Sequence, residues 1–379
     1  MKSIHGKNFQ LGMLGGGQLG RMLLPEANYL DVDIHVLDPA VDAPCAELAT
    51  SFTLGDFRDY QTVLDFGRGK DLITIEIEDV NIDALRVLKA EGVVVCPDPE
   101  HIAIIQDKGT QKAFFAAHKL PSSPYKLIHS RAELSAADLP CALKLRTGGY
   151  DGKGVMVLRN EADLASAFDA PCVVEQLVDI DKELAVIIAR NASGETASFP
   201  VVELVFDPTA NLVDYLFAPA QIAPKLAEQA AGLAIRVADA FAFTGILAVE
   251  MFLTKSGEVL INEVAPRTHN SGHHTIEANY TSQFGQHLRA ILNLPLGSTA
   301  PLRMAAMVNL VGEAGYSGAV QYEGMNTLLA MPGVYPHLYG KAQTKPYRKM
   351  GHVTVLADSI DDLQSKVAAV KTSIRVISK

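Results

Sequence analysis

Strand-forming and helix-forming runs alternate through the first hundred residues, and this limits the fold more than any other feature of the chain. FQLGMLG (9–15) reads as a strand and GGQLGRMLLPEA (16–27) as a turn entering a helix. IHVLDP (34–39) and LITIEIEDV (72–80) read as further strands. LRVLKAEG (85–92) has a helical pattern, and VVVCPDP (93–99) closes the series as another strand. Strands separated by helices pair in parallel, with the helices covering both faces of the sheet. An α/β unit is therefore expected over residues 1–105.

The character changes after a helix that spans Gln106–Lys119 and a turn at PSSP (121–124). Short turns such as RNASGE (190–195) and TKSGE (254–258) mark hairpins, and APKLAEQAAGLAIRVADAFA (223–242) reads as a long helix. AAMVNLVG (305–312) and HVTVLAD (352–358) are strands, followed by a last helix near 361–373. The fold class is α/β followed by α+β. A length of 379 residues suits two or three domains at roughly 100–200 residues each.

Net charge is −10 and no segment is a basic run, which argues against nucleic-acid and membrane-surface partners. Cys45, Cys96, Cys141 and Cys172 stand far apart, so neither a CxxC zinc site nor a disulfide framework is expected. The opening MKSIHGKNFQ is too polar for a signal peptide, and no apolar run reaches the roughly 18 residues of a membrane span. A cytoplasmic location is the expectation.

Two glycine motifs bear on chemistry. Gly15, Gly17 and Gly20 form GxGxxG at a strand-to-helix turn, with Asp38 ending the next strand. This is close to the dinucleotide fingerprint. The same glycines also serve close packing, and the free backbone donors of the helix N-terminus suit any phosphate. The second motif is LKLRTGGYDGKGVMVL (143–158). It is not a P-loop, because Lys153 is followed by glycine and a strand rather than by a hydroxyl and a helix. A symmetric hairpin about Asp151 would set Lys144 opposite Leu158. The bland alternative is a surface hairpin. The density of glycine around Lys153, with Lys144 and Arg146 on the entering strand, favours a flap that closes over a polyphosphate.

LAVEMFLTKSGEVLINEVAPR (247–267) is the most informative stretch. With a symmetric four-residue loop at KSGE, Glu250 faces Glu263 across a hairpin. Opposed carboxylates repel. They could both be solvated, but their strand neighbours are apolar, and a divalent cation between them removes the conflict. Magnesium takes a few carboxylates plus substrate phosphates, with Asn262 next in line as a neutral oxygen. The following APRTHNSGHH (265–274) is a polar loop without the HExxH spacing of zinc, in which Arg267 fits as a clamp for a small anion.

Taken together, seven segments resemble the ATP-grasp superfamily and, within it, the 5-(carboxyamino)imidazole ribonucleotide synthases of purine biosynthesis. They are GMLGGGQLGRML (12–23), TIEIEDV (74–80), QDKGTQK (106–112), GGYDGKG (148–154), VVEQLVDIDKEL (173–184), INEVAPRTHNSGHHT (261–275) and YGKAQTKPYRKMGHVTVL (339–356). The likeness implies a Rossmann-like pre-ATP-grasp domain (1–105), a central small ATP-grasp subdomain with the flap (106–185), and a C-terminal ATP-grasp half with a small tail (186–379). It implies that ATP, bicarbonate and aminoimidazole ribonucleotide become ADP, phosphate and the N-carboxylated nucleotide, with magnesium as cofactor. A homodimer is implied as well, with a separate mutase chain consuming the product.

Carried over residue by residue, the likeness makes Lys108 an ATP contact. Lys144 and the loop Gly149, Tyr150, Asp151, Gly152, Lys153 and Gly154 become the triphosphate grip. Glu175, Gln176, Leu177 and Val178 form the adenine segment, Glu183 meets the ribose, and Asn262 and Glu263 complete the ATP site. Glu250 and Glu263 are the magnesium ligands. Tyr150, Asp151, Arg267, Lys341 and Arg348 hold the imidazole nucleotide and the carboxyl donor. Gly17, Gln18, Glu76, Asn270, Ser271 and Lys345 belong with that second site. Arg267, Lys144 and Asp151 are the expected catalytic residues. The sequence departs from the family at Lys345 and Tyr347, where an arginine and a glycine are common. Alternatives are another ATP-grasp carboxylate–amine ligase, an NAD-dependent dehydrogenase resting on GxGxxG alone, and a catalytically silent nucleotide sensor.

Overall fold

The computed structural model describes residues 3–149, 154–206 and 213–379. Its N-terminal part runs β1 (Leu11–Leu14), α1 (Gln18–Tyr29), β2 (Ile34–Asp38), β3 (Ser51–Leu54), α2 (Tyr60–Gly67), β4 (Leu72–Ile75), α3 (Ile82–Ala90) and β5 (Val94–Val95). Among the described residues these five strands form one sheet in the order β3-β2-β1-β4-β5, with every pairing parallel. The alternation thus gives the expected doubly wound unit. β3 is an edge strand with three of its four residues exposed, and the alternation in its SFTL is only four residues long, too short to mark it. LITIEIEDV is a strand only as far as Ile75. The expectation of a nine-residue strand fails because Glu76 and Glu78 turn out of the sheet to make the contacts described below.

Strand order reverses between β1 and β4, so a crevice opens at their carboxyl ends, where open α/β sheets bind ligands. One face of this sheet packs on α2 and α3, with Val63, Leu64, Leu85 and Leu88 buried. The other face is shared between α1 and a helix far along the chain. Phe284, Leu288 and Ile291 join Leu11, Met13 and Leu24 in one cluster. Thr74 and His287 are hydrogen-bonded across it at 3.0 Å.

α4 (Pro99–Gln106) and α5 (Lys108–Ala117) lead out of this unit. The single helix expected from Gln106 to Lys119 is broken at Asp107, whose carboxylate caps α5 at the N–H groups of Gly109 (2.7 Å) and Thr110 (3.1 Å). Next come β6 (Tyr125–Ile128), β7 (Cys141–Leu145), β8 (Val155–Leu158) and β9 (Cys172–Gln176), an antiparallel sheet in the order β6-β9-β7-β8. Cys141, Leu143, Cys172 and Val174 bury one face of it. Period-2 alternation sends Lys144 and Glu175 to the other face.

The large sheet begins with β10 (Ile180–Arg190), β11 (Thr196–Ser198), β12 (Val202–Phe206) and β13 (Val213–Ala218). After α6 (Pro224–Ala240) come β14 (Gly245–Thr254) and β15 (Val259–Ala265). α7 (Thr275–Ala278) and α8 (Gln283–Ile291) precede β16 (Met304–Val311). β17 (Gly318–Glu323), α9 (Met325–Leu329), β18 (Val334–Leu338), β19 (Gln343–Thr344), β20 (Lys349–Ala357), α10 (Ile360–Ser373) and β21 (Arg375–Ser378) complete the chain. Among the described residues the main path of this sheet is β15-β14-β10-β12-β13-β16-β20-β18. On one face Leu184, Val186, Leu247, Val249 and Met251 pack on α6 and on Phe115 of α5. The opposite face carries Glu183 and Glu250.

Candidate active site

The hairpin of β14 and β15 sets Glu250 opposite Glu263, as expected, but by a different route. Thr254 N–H donates to Glu258 at 2.9 Å, so the loop is Lys255–Gly257, with Gly257 at φ 85°. Met251 then pairs with Ile261, and a bulge at Asn262 restores the Glu250–Glu263 register. The bulge sets two residues against one. Ile261 and Val264 both go into the core, which sends Asn262 and Glu263 together to the other face. Glu183 of β10 pairs with Phe252, two residues from Glu250, so it shares that face as a third carboxylate.

Two lysines from facing elements meet this row. Lys108, the first residue of α5, makes a close ion pair with Glu263. Lys144 of β7 donates to Asn262 Oδ1 at 2.7 Å and lies 3.1 Å from Glu175. The electrostatics are uneven. Lys108 holds Glu263 well below the usual carboxylate range. Burial, then the charges of Glu263 and Glu183, push Glu250 well above it. Burial raises Glu183 to about 7. The protein alone does not compensate a charge on Glu250, and a divalent cation beside it would restore the ionised form, which fits a donor set for such a cation. Among the described residues no group of three His, Cys, Asp or Glu side chains converges as a complete cage.

Below Lys144 lies a buried charge network. Glu175 places one oxygen 3.1 Å from Lys144 and the other 3.0 Å from Lys112, and Ser123 donates to it as well. Burial opposes the Glu175 charge, but the two lysines outweigh it and keep its pKa low. The Glu175 side chain thus supports Lys144. Gln176 and Leu177 line a surface pocket of about 390 Å³ with Pro124, Tyr125 and Leu139. Val178 is half-buried. In the flap hairpin the expected register is wrong by three residues. Lys144 pairs with Val155, and Cys141 with Leu158. Gly148 and Gly154 adopt φ 76° and 81°, and Leu145 N–H closes on the Gly154 carbonyl at 2.8 Å, so β8 starts directly after Gly154. Arg146 forks onto Asp107, with contacts of 2.9 and 2.5 Å, and so braces the start of α5. Gly149 is described, whereas Tyr150, Asp151, Gly152 and Lys153 lie outside the described residues.

A second pocket, about 240 Å³, opens at the crevice of the parallel sheet. Gly17, Gln18, Asp38, Glu76, Lys341 and Arg348 line it. It brings together five of the expected substrate residues from opposite ends of the chain. Lys341 donates to Gln18 Oε1 (2.6 Å) and to the Lys349 carbonyl (2.8 Å), and Arg348 to the Gln343 carbonyl (2.6 Å). The helix N-terminus here is not the open phosphate cradle that GxGxxG suggests. Asp38 accepts from Gly16 N–H at 2.7 Å and Glu76 from Leu19 N–H at 3.0 Å, so carboxylates hold those donors. Gly17 is required by this approach, since a Cβ there would lie 2.6 Å from Glu76 Oε1.

Burial raises Glu76 to about 7 from an ordinary 4.5. A carboxyl whose folded pKa is raised stabilises the fold while it is protonated. That contribution is complete below pH 4.5 and is lost as pH rises through 7. Glu76→Gln is therefore expected to flatten the fall in stability between those limits, by about 3 kcal/mol at most. Urea unfolding of both proteins at pH 5 and pH 8 checks this.

Arg267 lies four residues after Glu263, and its guanidinium already holds a carboxylate. Nε and Nη2 meet Glu78 at 2.5 and 3.0 Å, and Nη1 donates to the Thr268 carbonyl at 3.1 Å. His269 Nε2 lies 3.5 Å from Glu250, and burial lowers its pKa to about 4, so it is neutral there. Ser271 is fully buried and hydrogen-bonded to His269 Nδ1 at 2.9 Å, so it orients that ring. Asn270 donates to Asn309 at 3.0 Å. Lys345 is exposed and does not line the pocket. Tyr347, where the family commonly has glycine, adopts φ 63°, the left-handed backbone that glycine favours. His273 lies tilted against His352, with 4.8 Å between ring centres, and His352 in turn stacks on the half-buried His337 at 4.5 Å. Sequence reasoning gave Glu78 and Lys112 no role of their own, and noted Asp38 only within the dinucleotide fingerprint and His269 only within the polar loop after the hairpin. Glu78 had a signal, being the second charge in TIEIEDV, where a strand of a parallel sheet covered on both faces should run apolar throughout.

The comparisons with known proteins agree with this layout. A family model described as the ribonucleotide synthetase preATP-grasp domain matches residues 9–106, the ATP-grasp domain matches 113–284, and a phosphoribosylaminoimidazole carboxylase C-terminal domain matches 305–366. The N5-carboxyaminoimidazole ribonucleotide synthase of Bacillus subtilis is 36% identical over 93% of this chain and 92% of its own. The chain spans 66% of the chloroplastic phosphoribosylaminoimidazole carboxylase of Vigna aconitifolia, at 37% identity over 94% of its own length. The crystal structure of the synthetase from Thermotoga maritima superposes with TM-score 0.91 at 41% identity, covering 98% of this chain and 100% of that one. The enzyme of Aspergillus clavatus in complex with ADP and 5-aminoimidazole ribonucleotide gives TM-score 0.86 at 31% identity, over 97% and 98% of the two chains. On identity, coverage and fold together, the chain belongs to the N5-carboxyaminoimidazole ribonucleotide synthase family of ATP-grasp enzymes.

Proposed function

We propose that this chain carboxylates the exocyclic amine of 5-aminoimidazole ribonucleotide with bicarbonate, at the expense of ATP. The observation that carries the reading is the meeting of two pockets' worth of chemistry. A carboxylate pair is faced by Lys108 and Lys144 and met by His269, and Arg267, two residues before His269, is joined through Glu78 to the segment that carries Glu76 into the second pocket. One such site holds a polyphosphate and the other a small anionic nucleotide.

Bicarbonate is a weak nucleophile and must be activated. Lys108 and Lys144 bind and neutralise the triphosphate, and Arg267 orients bicarbonate in line with the γ-phosphorus. Positioning and charge stabilisation of this kind account for most of phosphoryl-transfer catalysis. A bicarbonate oxygen bonds to the γ-phosphorus as the bond to ADP breaks, giving carboxyphosphate. Cleavage of its C–O bond releases phosphate and carbon dioxide. The amine nitrogen then bonds to that carbon and loses a proton. Magnesium held by Glu250 and Glu263, with Asn262 beside them, would supply positive charge at the phosphates. The flap at 148–154, with Tyr150 and Asp151, excludes water from the short-lived intermediate. Gln18, Glu76, Lys341 and Arg348 bind the nucleotide.

We read the enzyme as a cytoplasmic homodimer whose product passes to a separate mutase. Support for the location is a set of four free, buried cysteines and no described helix long and apolar enough to cross a membrane. Bicarbonate labelled with ¹⁸O tests the chemistry. One labelled oxygen is expected in each phosphate released, and unlabelled phosphate would refute the carboxyphosphate route.

A further inference from the structure

The Glu78–Arg267 pair joins parts of the chain 189 residues apart. Its geometry is bidentate, with both side chains part-buried. Glu78 does not hang on a loose loop. Gln106, the last residue of α4, donates from Nε2 to the Glu78 carbonyl (2.6 Å) and to the Val80 carbonyl (3.0 Å). Two residues on, Lys108 grips Glu263. Burial works against the Glu78 charge, but Arg267 outweighs it, so the group stays ionised.

We propose that Glu78 is a positioning residue for the anion site. It fixes the plane and reach of the Arg267 guanidinium so that bicarbonate is presented to the γ-phosphate. The inference rests on the function proposed above. A long arginine stem has many rotamers, and a planar fork held by a carboxylate has few. Glu78 is itself pinned by Gln106, so the arginine is referenced to the same short segment that places Lys108 on the carboxylate pair. Glu76, two residues before Glu78, faces the nucleotide pocket, so one stretch of backbone sets both the anion clamp and the nucleotide wall.

The test is a kinetic cycle with Glu78→Gln, Glu78→Asp, Arg267→Lys and the Glu78→Gln/Arg267→Lys double variant. Glutamine keeps the size of Glu78 but turns one acceptor into a donor facing Nη2. KM for bicarbonate is expected to rise ~10-fold or more in Glu78→Gln, with KM for ATP changed by less than about twofold. Glu78→Asp restores part of the loss. The double variant is expected to be no worse than Arg267→Lys alone, because the two residues act as a unit. An active wild type with unchanged or tighter bicarbonate dependence in Glu78→Gln would overturn the proposal, as would additive losses in the double variant. A wild type with no bicarbonate-dependent product would instead remove the function on which it rests.

Discussion

Glu263→Gln is expected to lower the rate of ADP formation by ~10³-fold, about 4 kcal/mol of transition-state stabilisation, while ATP affinity changes by no more than about threefold. Glu263 is the residue on which the site's charges converge. It faces Glu250 across the hairpin, and Lys108 holds it ionised well below the usual range. Glutamine preserves its size and one oxygen but removes the charge that orders Lys108 and that, with Glu250, would receive the proposed cation. In the proposed site nucleotide binding draws on Lys144, the adenine segment and the flap as well, so it is expected to survive the change. Single-turnover ADP formation and equilibrium ATP binding, measured on the same preparations, separate the two effects. Equal losses in both would mean that Glu263 serves binding and not the chemical step.

The second large effect is on stability. Glu175 is nearly fully buried and is shared by Lys112, also buried, and Lys144, whose side chain is 9% exposed. Glu175→Ala leaves two ammonium groups without their common carboxylate. Breaking a buried ionic group from one side costs about 3–5 kcal/mol, because the charge left behind cannot be rehydrated. Urea unfolding should show a loss in that range. A loss below about 1 kcal/mol would mean that water or Asn262 takes over the role of Glu175.

Glu263 and Glu175 were legible in the sequence to different degrees. Opposed glutamates among apolar neighbours are a pattern that pairing rules can detect, so the carboxylate pair was readable even though the assumed loop was one residue too long. The bulge at Asn262 compensated for that error, and no propensity rule places a bulge. Glu175 read only as part of a backbone segment. Its side-chain role depends on Lys112, one turn along α5, coming to rest beside β9, which is a tertiary event. The same limit explains the GxGxxG region. The glycines announce a tight strand-to-helix turn, but Glu76 and Asp38 decide that carboxylates, and not phosphate, hold its donors. It explains α8 as well, which completes a face of the N-terminal sheet from more than 200 residues away. The flap register failed because symmetric loops were assumed where two glycines take positive φ. Lys341 and Arg348 entered through family likeness alone, and their union with Gln18 and Glu76 in one pocket is visible only in three dimensions.

The central claim is that the triphosphate site and the nucleotide pocket serve one reaction. The direct test is ADP release from magnesium, ATP and bicarbonate, with and without 5-aminoimidazole ribonucleotide. Release that depends strongly on that nucleotide, with one carboxylated nucleotide formed per ADP, is the expected result. ADP release that ignores the nucleotide, in a chain that still binds ATP, would contradict the account and would send the pocket between Gln18 and Arg348 in search of another substrate.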